Sequence, residues 1–481
     1  MLFNTIDFAI FLPIVFFIYW FILKNTVKGQ NAILLVASYV FYGWWDWKFL
    51  FLIAASSIVD YVIGLALAKS KDADWRKVYL FLSILFNLGI LGFFKYFNFF
   101  IENFKAAFSF LGYCIQPNTL DIILPVGISF YTFQTMSYTI DVYRRDLRPT
   151  KDFVSFSAFV SFFPQLVAGP IERANNLLPQ FYKARYFCYD QAASGMRLIL
   201  WGLFKKVVIA DNCATYANLI FNNSDEYSGS TLLLGSVFFA FQIYGDFSGY
   251  SDIAIGVSRL FGFNLMQNFA FPYFSRDIAE FWRRWHISLS TWFRDYLYIP
   301  LGGSKGGTLM KIRNTFVIFI LSGFWHGANW TFIIWGALNA LYFIPLLLAN
   351  KNRRYLNNIG DDGRFSFNEG LRIAGTFALV SLTWVFFRSD SVGHACSIIG
   401  EIFSQTLLTV PVFHNRFDAL LVSLLTIFML IIEWKSRKSP FALDNFLITS
   451  SRVKRYSFYL VILGIILLFR GQQQDFIYFQ F

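Results

Sequence analysis

The sequence predicts an all-α fold: a polytopic membrane bundle of about eleven to thirteen helical spans, with short re-entrant or buried helices among them. Of its 481 residues, 56% are hydrophobic and only 15% are charged, and the mean hydropathy is +0.50. Apolar segments close to bilayer length recur from one end of the chain to the other. A few strongly polar stretches interrupt them, too charged to face lipid, so they must pack inside protein or line a water-filled passage.

With about 20 apolar residues as the length of a crossing, candidate spans lie near residues 6–23, 31–45, 48–68, 78–97 and 120–140. Others lie near 153–169, 194–213, 231–263, 314–348, 370–387, 419–434 and 456–470. The stretches 231–263 and 314–348 are long enough for two spans each, and several others are short enough to be re-entrant. The first stretch, Ile6 to Leu23, has no basic residues before it and carries Pro13, so it reads as a retained span rather than a cleaved signal. The longest hydrophilic run, Asn350 to Asn368, has the length of a loop. One membrane domain over residues 1–481 is therefore expected, and no pair of self-similar halves is visible.

The formal charge is +12. Its Lys and Arg sit in short clusters between apolar segments, as at Lys69 to Lys77, Lys351 to Arg354 and Lys435 to Lys438. Contact with anionic lipid headgroups explains that pattern, whereas a nucleic-acid site would need a basic face on a soluble domain. Clusters come after nearly every span, so charge does not fix the orientation of individual loops. Cys114, Cys188, Cys213 and Cys396 show neither disulfide nor zinc-ribbon spacing. Aromatic residues make up 21% of the chain, more than interfacial belts require, which suggests aromatic walls inside the protein.

Against this background two histidines stand out. His286 lies in Phe281-Trp282-Arg283-Arg284-Trp285-His286 and His326 in Gly323-Phe324-Trp325-His326-Gly327-Ala328-Asn329-Trp330. An imidazole in a membrane is costly to keep and can accept a proton near neutral pH. If residues around Glu280 are helical, Glu280 can pair with Arg283 or Arg284, and His286 shares a face with Ser290. The segment then reads either as a buried lining that offers guanidiniums to an anionic ligand or as a basic amphipathic helix on the headgroups. Around His326, Ser322, Asn329 and Trp330 lie within one helical turn and could orient the ring, while Gly323, Gly327 and Ala328 permit close approach of a backbone or ligand. A histidine bonded between helices for packing is the alternative. A third polar group, Asp246, Ser248, Tyr250 and Asp252, reads as a structural network between helices. Asp60, Lys95 and Asp141 read as helix-end or network residues. No metal site is expected, because the histidines and acids lack ligand spacing.

The run from Phe281 through Ile287-Ser288-Leu289-Ser290-Thr291-Trp292-Phe293-Arg294-Asp295-Tyr296 to Leu301-Gly302-Gly303, then Trp325-His326-Gly327-Ala328, closely resembles the membrane-bound O-acyltransferase family, in its bacterial polysaccharide branch. Further matches are Leu124 to Phe133, Phe163 to Pro170, Asp246 to Asp252 and the terminal Phe476 to Phe481. The resemblance implies a helical bundle pierced by a central tunnel, with His326 as the catalytic base at its narrowest point. His286 falls on the family's second functional position, where many eukaryotic relatives carry Asn or Asp, so an orienting or oxyanion-binding role suits it better than acid-base work. Phe324 stands where Leu is more familiar, a change of packing.

The resemblance also implies transfer of an acyl group, acetyl above all, from a cytoplasmic thioester such as acetyl-CoA toward an extracytoplasmic polysaccharide through a separate transferase protein. The implied setting is the bacterial inner membrane, with no permanently bound cofactor. Arg283, Arg284 and Arg294 are candidates for the donor's phosphates, and Ser322, Trp325 and Asn329 complete the candidate binding residues. A transporter or flippase for a lipid-linked sugar shares the charges, the aromatic walls and a passage, and a purely structural scaffold is a third reading.

Overall fold

The computed structural model describes residues 1–113, 119–357 and 366–469, together with 474, 476 and 477. Cys114, the middle of the Asn350–Asn368 stretch and Tyr478 to Phe481 lie outside the described residues. Every regular element among them is helical. Among the described residues, six helices are long and apolar enough to cross a membrane: Trp47–Lys69, Ala73–Phe110, Gly229–Leu260, Trp330–Leu348, Phe367–Arg388 and Arg416–Ser436. The other expected segments form helices that are shorter or carry more polar residues. The protein is thus an all-helical, multi-pass integral membrane protein.

The two long apolar stretches resolve differently. Of residues 231–263, those up to Leu260 fall on one continuous helix, Gly229–Leu260, whose window is mostly buried in protein. Residues 314–348 become two helices, Thr308–His326 and Trp330–Leu348, with the chain extended at Gly327. Two further expected spans are buried rather than lipid-facing. The Ile128–Arg144 helix buries Ser129, Thr132, Gln134, Thr135, Ser137 and Thr139, and the Phe153–Val160 helix ends within a run whose next residues, 161–174, are all buried.

Contacts divide the chain into two compact units, residues 1–192 with 257–266 and residues 193–256 with 267–481. The first shows an inside-out amphipathicity. On Ala73–Leu91, Phe81, Leu85 and Leu88 are exposed while Ser83 and Asn87 are buried. In lipid the apolar side chains gain nothing by turning inward, so polar groups do the joining. Asp60 accepts from Ser83 Oγ at 2.5 Å and Asn87 Nδ2 at 2.8 Å, and Ser83 Oγ lies 2.8 Å from Thr139 Oγ1. These bonds tie three helices, which gives Asp60 the network role expected of it. The 257–266 strap is held in the same unit by Tyr19 Oη and Trp20 Nε1, which donate to the carbonyls of Phe261 at 3.0 Å and Leu260 at 2.9 Å.

The second unit holds both histidines. Its Thr308–His326 and Trp330–Leu348 helices pack through two glycines: a Cβ at Gly323 would collide with the Phe332 carbonyl, and one at Gly336 with the Phe319 carbonyl. This backbone-to-backbone approach places His326 at the last residue of its helix, directly before the turn.

Candidate active site

The polar run expected to be one helix is broken in the structure. A short helix, Ile278–Arg284, is capped by the Asp277 side chain, which accepts from Glu280 N. A second, Ile287–Phe293, starts after His286, whose backbone is left-handed at φ 45°. The break is held by an extended stretch on the same unit. Ala270 N donates to Arg284 O at 3.0 Å, and Ile287 N to Asn268 O at 2.9 Å. A histidine with positive φ is strained, and these bonds on both sides fix it.

The Asn268 side chain then sets the chemistry of the ring. Its Oδ1 lies 3.3 Å from Ser288 N, a group that can only donate, and 2.9 Å from Ser288 Oγ. That oxygen is therefore the acceptor for His286 Nδ1 at 3.0 Å. His286 carries its proton on Nδ1, and Nε2 is its acceptor nitrogen. The imidazole also sits edge-on to Phe247, with ring centroids 4.6 Å apart.

His326 is 3% exposed and surrounded by rings, with Trp325, Trp335 and Phe387 centroids at 4.9, 5.3 and 5.4 Å. The His286 and His326 rings are 6.3 Å apart. Both line one cavity of about 230 Å³, together with Trp282, Ser290, Phe319, Ser322 and Phe343. The same lining reaches Arg294, Ser304 and Arg353, which are exposed. The cavity thus runs from two buried imidazoles to a rim that carries two guanidiniums. Arg294 is also paired with Asp295 at 2.7 Å.

The structure gives several expected site residues other partners. Arg284 pairs with Glu280 at 2.9 Å and donates to the Ala270 carbonyl, so it stabilises the broken-helix segment. Arg283 donates to the carbonyls of Asn352 at 2.6 Å and Tyr355 at 2.9 Å. Neither lines the cavity, but Arg283 clamps the loop that places Arg353 on its rim. Glu280 also binds Arg276, four residues before it, at 3.0 Å. Asn329 does not approach His326 along a helix, because the helix ends at His326. It caps the next helix by accepting from Thr331 N, and it donates to the Asp390 carbonyl at 3.0 Å. Trp325 packs against both histidine rings without lining the cavity. Ser322 does line it.

Asp246 and Asp252 each pair with a buried lysine. Lys206 Nζ lies 2.7 Å from Asp246 and 2.8 Å from Asp211, and Lys205 Nζ lies 2.7 Å from Asp252. Tyr250 stacks obliquely on Phe476 at 5.2 Å. Asp246 also accepts from Ile477 N at 2.7 Å, so Ile477 is anchored beside the helix that carries Phe247. Sequence alone does not single out Asn268, Lys205, Lys206 or Arg353. The lysines resemble the headgroup-facing clusters around them, and the other two join the site only through tertiary structure.

The pattern of the membrane-bound O-acyltransferase family, MBOAT, matches residues 40–357, which include both histidines. The chain is 42% identical over 403 residues to the probable alginate O-acetylase AlgI of Pseudomonas syringae, covering 83% of this chain and 74% of that protein. It is 37% identical over 430 residues to the peptidoglycan O-acetyltransferase of Helicobacter pylori, covering 83% and 79%. The similarity to the teichoic acid D-alanyltransferase of Bacillus subtilis is lower, 29% over 247 residues, covering 49% and 62%. With a cavity that joins two buried imidazoles inside a multi-pass helical protein, this chain belongs to the membrane-bound O-acyltransferase family and is an acyltransferase.

Proposed function

We propose that this protein, acting as one membrane domain of the bacterial inner membrane, takes an acyl group, acetyl above all, from a cytoplasmic thioester such as acetyl-CoA and passes it toward an extracytoplasmic polysaccharide. A separate acyltransferase protein on the outer side completes delivery. The observation that carries this reading is the shared cavity of His286 and His326, with a cationic rim at one end. Support for the polysaccharide comes from the relatives, two of which are named for O-acetylation of alginate and peptidoglycan.

In this reading His326 is the general base. An acceptor hydroxyl gives its proton to the imidazole as its oxygen adds to the thioester carbonyl carbon, the carbon–sulfur bond breaks, and the thiolate leaves with the proton returned from His326. The aromatic enclosure excludes water that would otherwise hydrolyse the thioester. His286, fixed by Asn268 with its ring 6.3 Å from that of His326, shapes the acceptor's seat on the cavity wall without taking its proton. Arg294 and Arg353 attract the donor's phosphates.

The test is transfer from labelled acyl-CoA by the purified protein. A general base is worth about 10² to 10⁴ in rate, so His326→Ala should lose that much while keeping its melting temperature. Undiminished transfer by this variant would remove the proposed role. Thioester-dependent release of CoA distinguishes the enzyme from a flippase, which would move unmodified sugar lipid across a vesicle membrane.

A further inference from the structure

Acyl transfer needs a hydrogen-bond donor where negative charge develops on the carbonyl oxygen, and the helix that carries His326 offers one. Thr315, Ile318, Phe319, Ser322 and His326 all line the cavity. Their spacing of three and four residues makes them one face of the Thr308–His326 helix. Leu321, next to Ser322 in the chain, is off that face and exposed. Ser322 therefore faces the cavity one turn before the proposed base. Helical side chains lean toward the N-terminus, which carries the His326 ring toward the turn of Ser322. Residues four apart have Cβ atoms about 5–6 Å from each other, so both side chains border the same part of the space.

The Ser322 hydroxyl is also uncommitted. A helical serine or threonine can bond back to a carbonyl of the preceding turn, as Thr315 Oγ1 does to the Lys311 carbonyl at 2.8 Å. Ser322 Oγ makes no hydrogen bond among the described residues. Nor is it sealed. Ser57, Ser157 and Ser381 also lack partners among the described residues, but their oxygens are cut off from solvent, whereas Ser322 Oγ keeps open surface on the cavity wall.

Other donors on the wall are sealed, occupied or placed on the rim. The Trp282 Nε1 has no open surface, and the one ring proton of neutral His286 is used on Asn268. Ser290 Oγ donates to the Trp285 carbonyl at 3.4 Å, and the Tyr298 and Ser304 hydroxyls pair with each other at 2.9 Å. Arg294 and Arg353 lie on the exposed rim, with Asn352 beside Arg353.

We infer that the Ser322 hydroxyl donates the hydrogen bond that stabilises the carbonyl oxygen of the acyl thioester, an assignment that rests on the acyl-transfer reading above. As the acceptor oxygen adds to the carbonyl carbon and its proton passes to His326, the C=O π electrons move onto the carbonyl oxygen and the bond from Ser322 Oγ–H strengthens. As the tetrahedral species collapses, the C=O bond re-forms, the C–S bond breaks and the thiolate leaves with the proton from His326. Ser322 keeps its own proton and forms no covalent bond. One helix thus supplies the base at its last residue and the donor one turn earlier, so the helix itself sets their spacing.

The experiment compares the wild-type protein with Ser322→Ala, which deletes a single oxygen. Removing one such donor lowers kcat by about 10² to 10³, and because the bond forms fully only in the transition state, the KM for acetyl-CoA should change by less than about twofold. Two non-reactive CoA analogues separate chemistry from packing. A ketone that retains the carbonyl should bind Ser322→Ala about two- to tenfold more weakly than wild type, the effect of one neutral hydrogen bond. A thioether that lacks the carbonyl should bind both alike. Infrared spectra of the bound ketone, labelled with ¹³C at the carbonyl, should show its stretch at lower frequency in the wild-type complex than in apolar solvent, and Ser322→Ala should return it toward the solvent value. Wild-type kcat in Ser322→Ala, equal weakening of both analogues, an unshifted carbonyl in the wild-type complex, or an acyl group found covalently on Ser322 would overturn the assignment. Failure of the wild-type protein to release CoA from any acyl-CoA would instead overturn the acyl-transfer reading beneath it.

Discussion

His286 and Asn268 are joined by a hydrogen bond of 3.0 Å between Nδ1 and Oδ1, and the backbone N–H of Ser288 on the same oxygen leaves only one direction for the proton. The asparagine therefore determines which face of the imidazole is basic. Asn268→Ala removes the acceptor from three buried donors, His286 Nδ1, Ser288 N and Ser288 Oγ. Each loss costs about 1–3 kcal/mol, and where it falls on the transition state it lowers kcat by roughly five- to a hundredfold. Asn268→Asp retains an acceptor at the same place and should recover much of the rate. Steady-state kinetics of the two variants test this, and equal activity in Asn268→Ala and wild type would show that the tautomer is irrelevant.

Much of this fold was legible in the sequence, because apolar length and buried polarity are local properties. The break between Arg284 and Ile287 was not. Helical spacing pairs Glu280 with its neighbours at three and four residues, and it does pair with Arg284, yet the left-handed His286 is imposed by backbone bonds from Asn268 and Ala270. Such partners lie 14 to 20 residues away along the chain, and nothing in local periodicity marks them. The two histidines were readable because each is an expensive residue in an apolar setting, whereas Arg353 looks like any other loop cation until Arg283 binds the carbonyls on either side of it.

That clamp gives a second prediction. Arg353→Ala should raise the donor's KM by about two- to tenfold, the range for a partly exposed charged hydrogen bond, and leave kcat unchanged. Arg283→Ala should raise KM in the same way through loss of loop position, although Arg283 is absent from the cavity wall. Added salt should weaken the contribution of Arg353, since exposed charges are screened within about 10 Å at 0.1 M. Titrating KM against ionic strength for wild type and both variants measures it, and a salt-independent KM in wild type would oppose a cationic rim.

Lys206 faces Asp211 and Asp246 at 2.8 and 2.7 Å in a buried site. Removing one member of a buried ionic group leaves uncompensated charge at a cost of about 3–5 kcal/mol. Lys206→Met should therefore expose the protein to unfolding in detergent at markedly lower temperature. Neutralising all three, with Lys206→Met, Asp211→Asn and Asp246→Asn together, should recover most of the loss. Thermal melts monitored by tryptophan fluorescence provide the measurement, and a triple variant no more stable than the single one would count against an ionic origin.

The apolar wall of the cavity supplies the last test. Phe343 packs on Phe319 with centroids 5.8 Å apart, and both line the space beside the histidines. A cavity of about 230 Å³ leaves little room for an acyl chain longer than a few carbons once the thioester end is seated. Phe343→Ala removes most of a side chain from that wall, so longer chains should gain relative to acetyl. Each additional methylene buried contributes about 0.8 kcal/mol, close to a fourfold change in kcat/KM, until the new space is filled. Assaying acetyl-, propionyl- and butyryl-CoA against both proteins gives the comparison. An unchanged ranking would place the acyl group away from Phe343, and a uniform loss across all three donors would indicate collapse of the wall onto the space left behind.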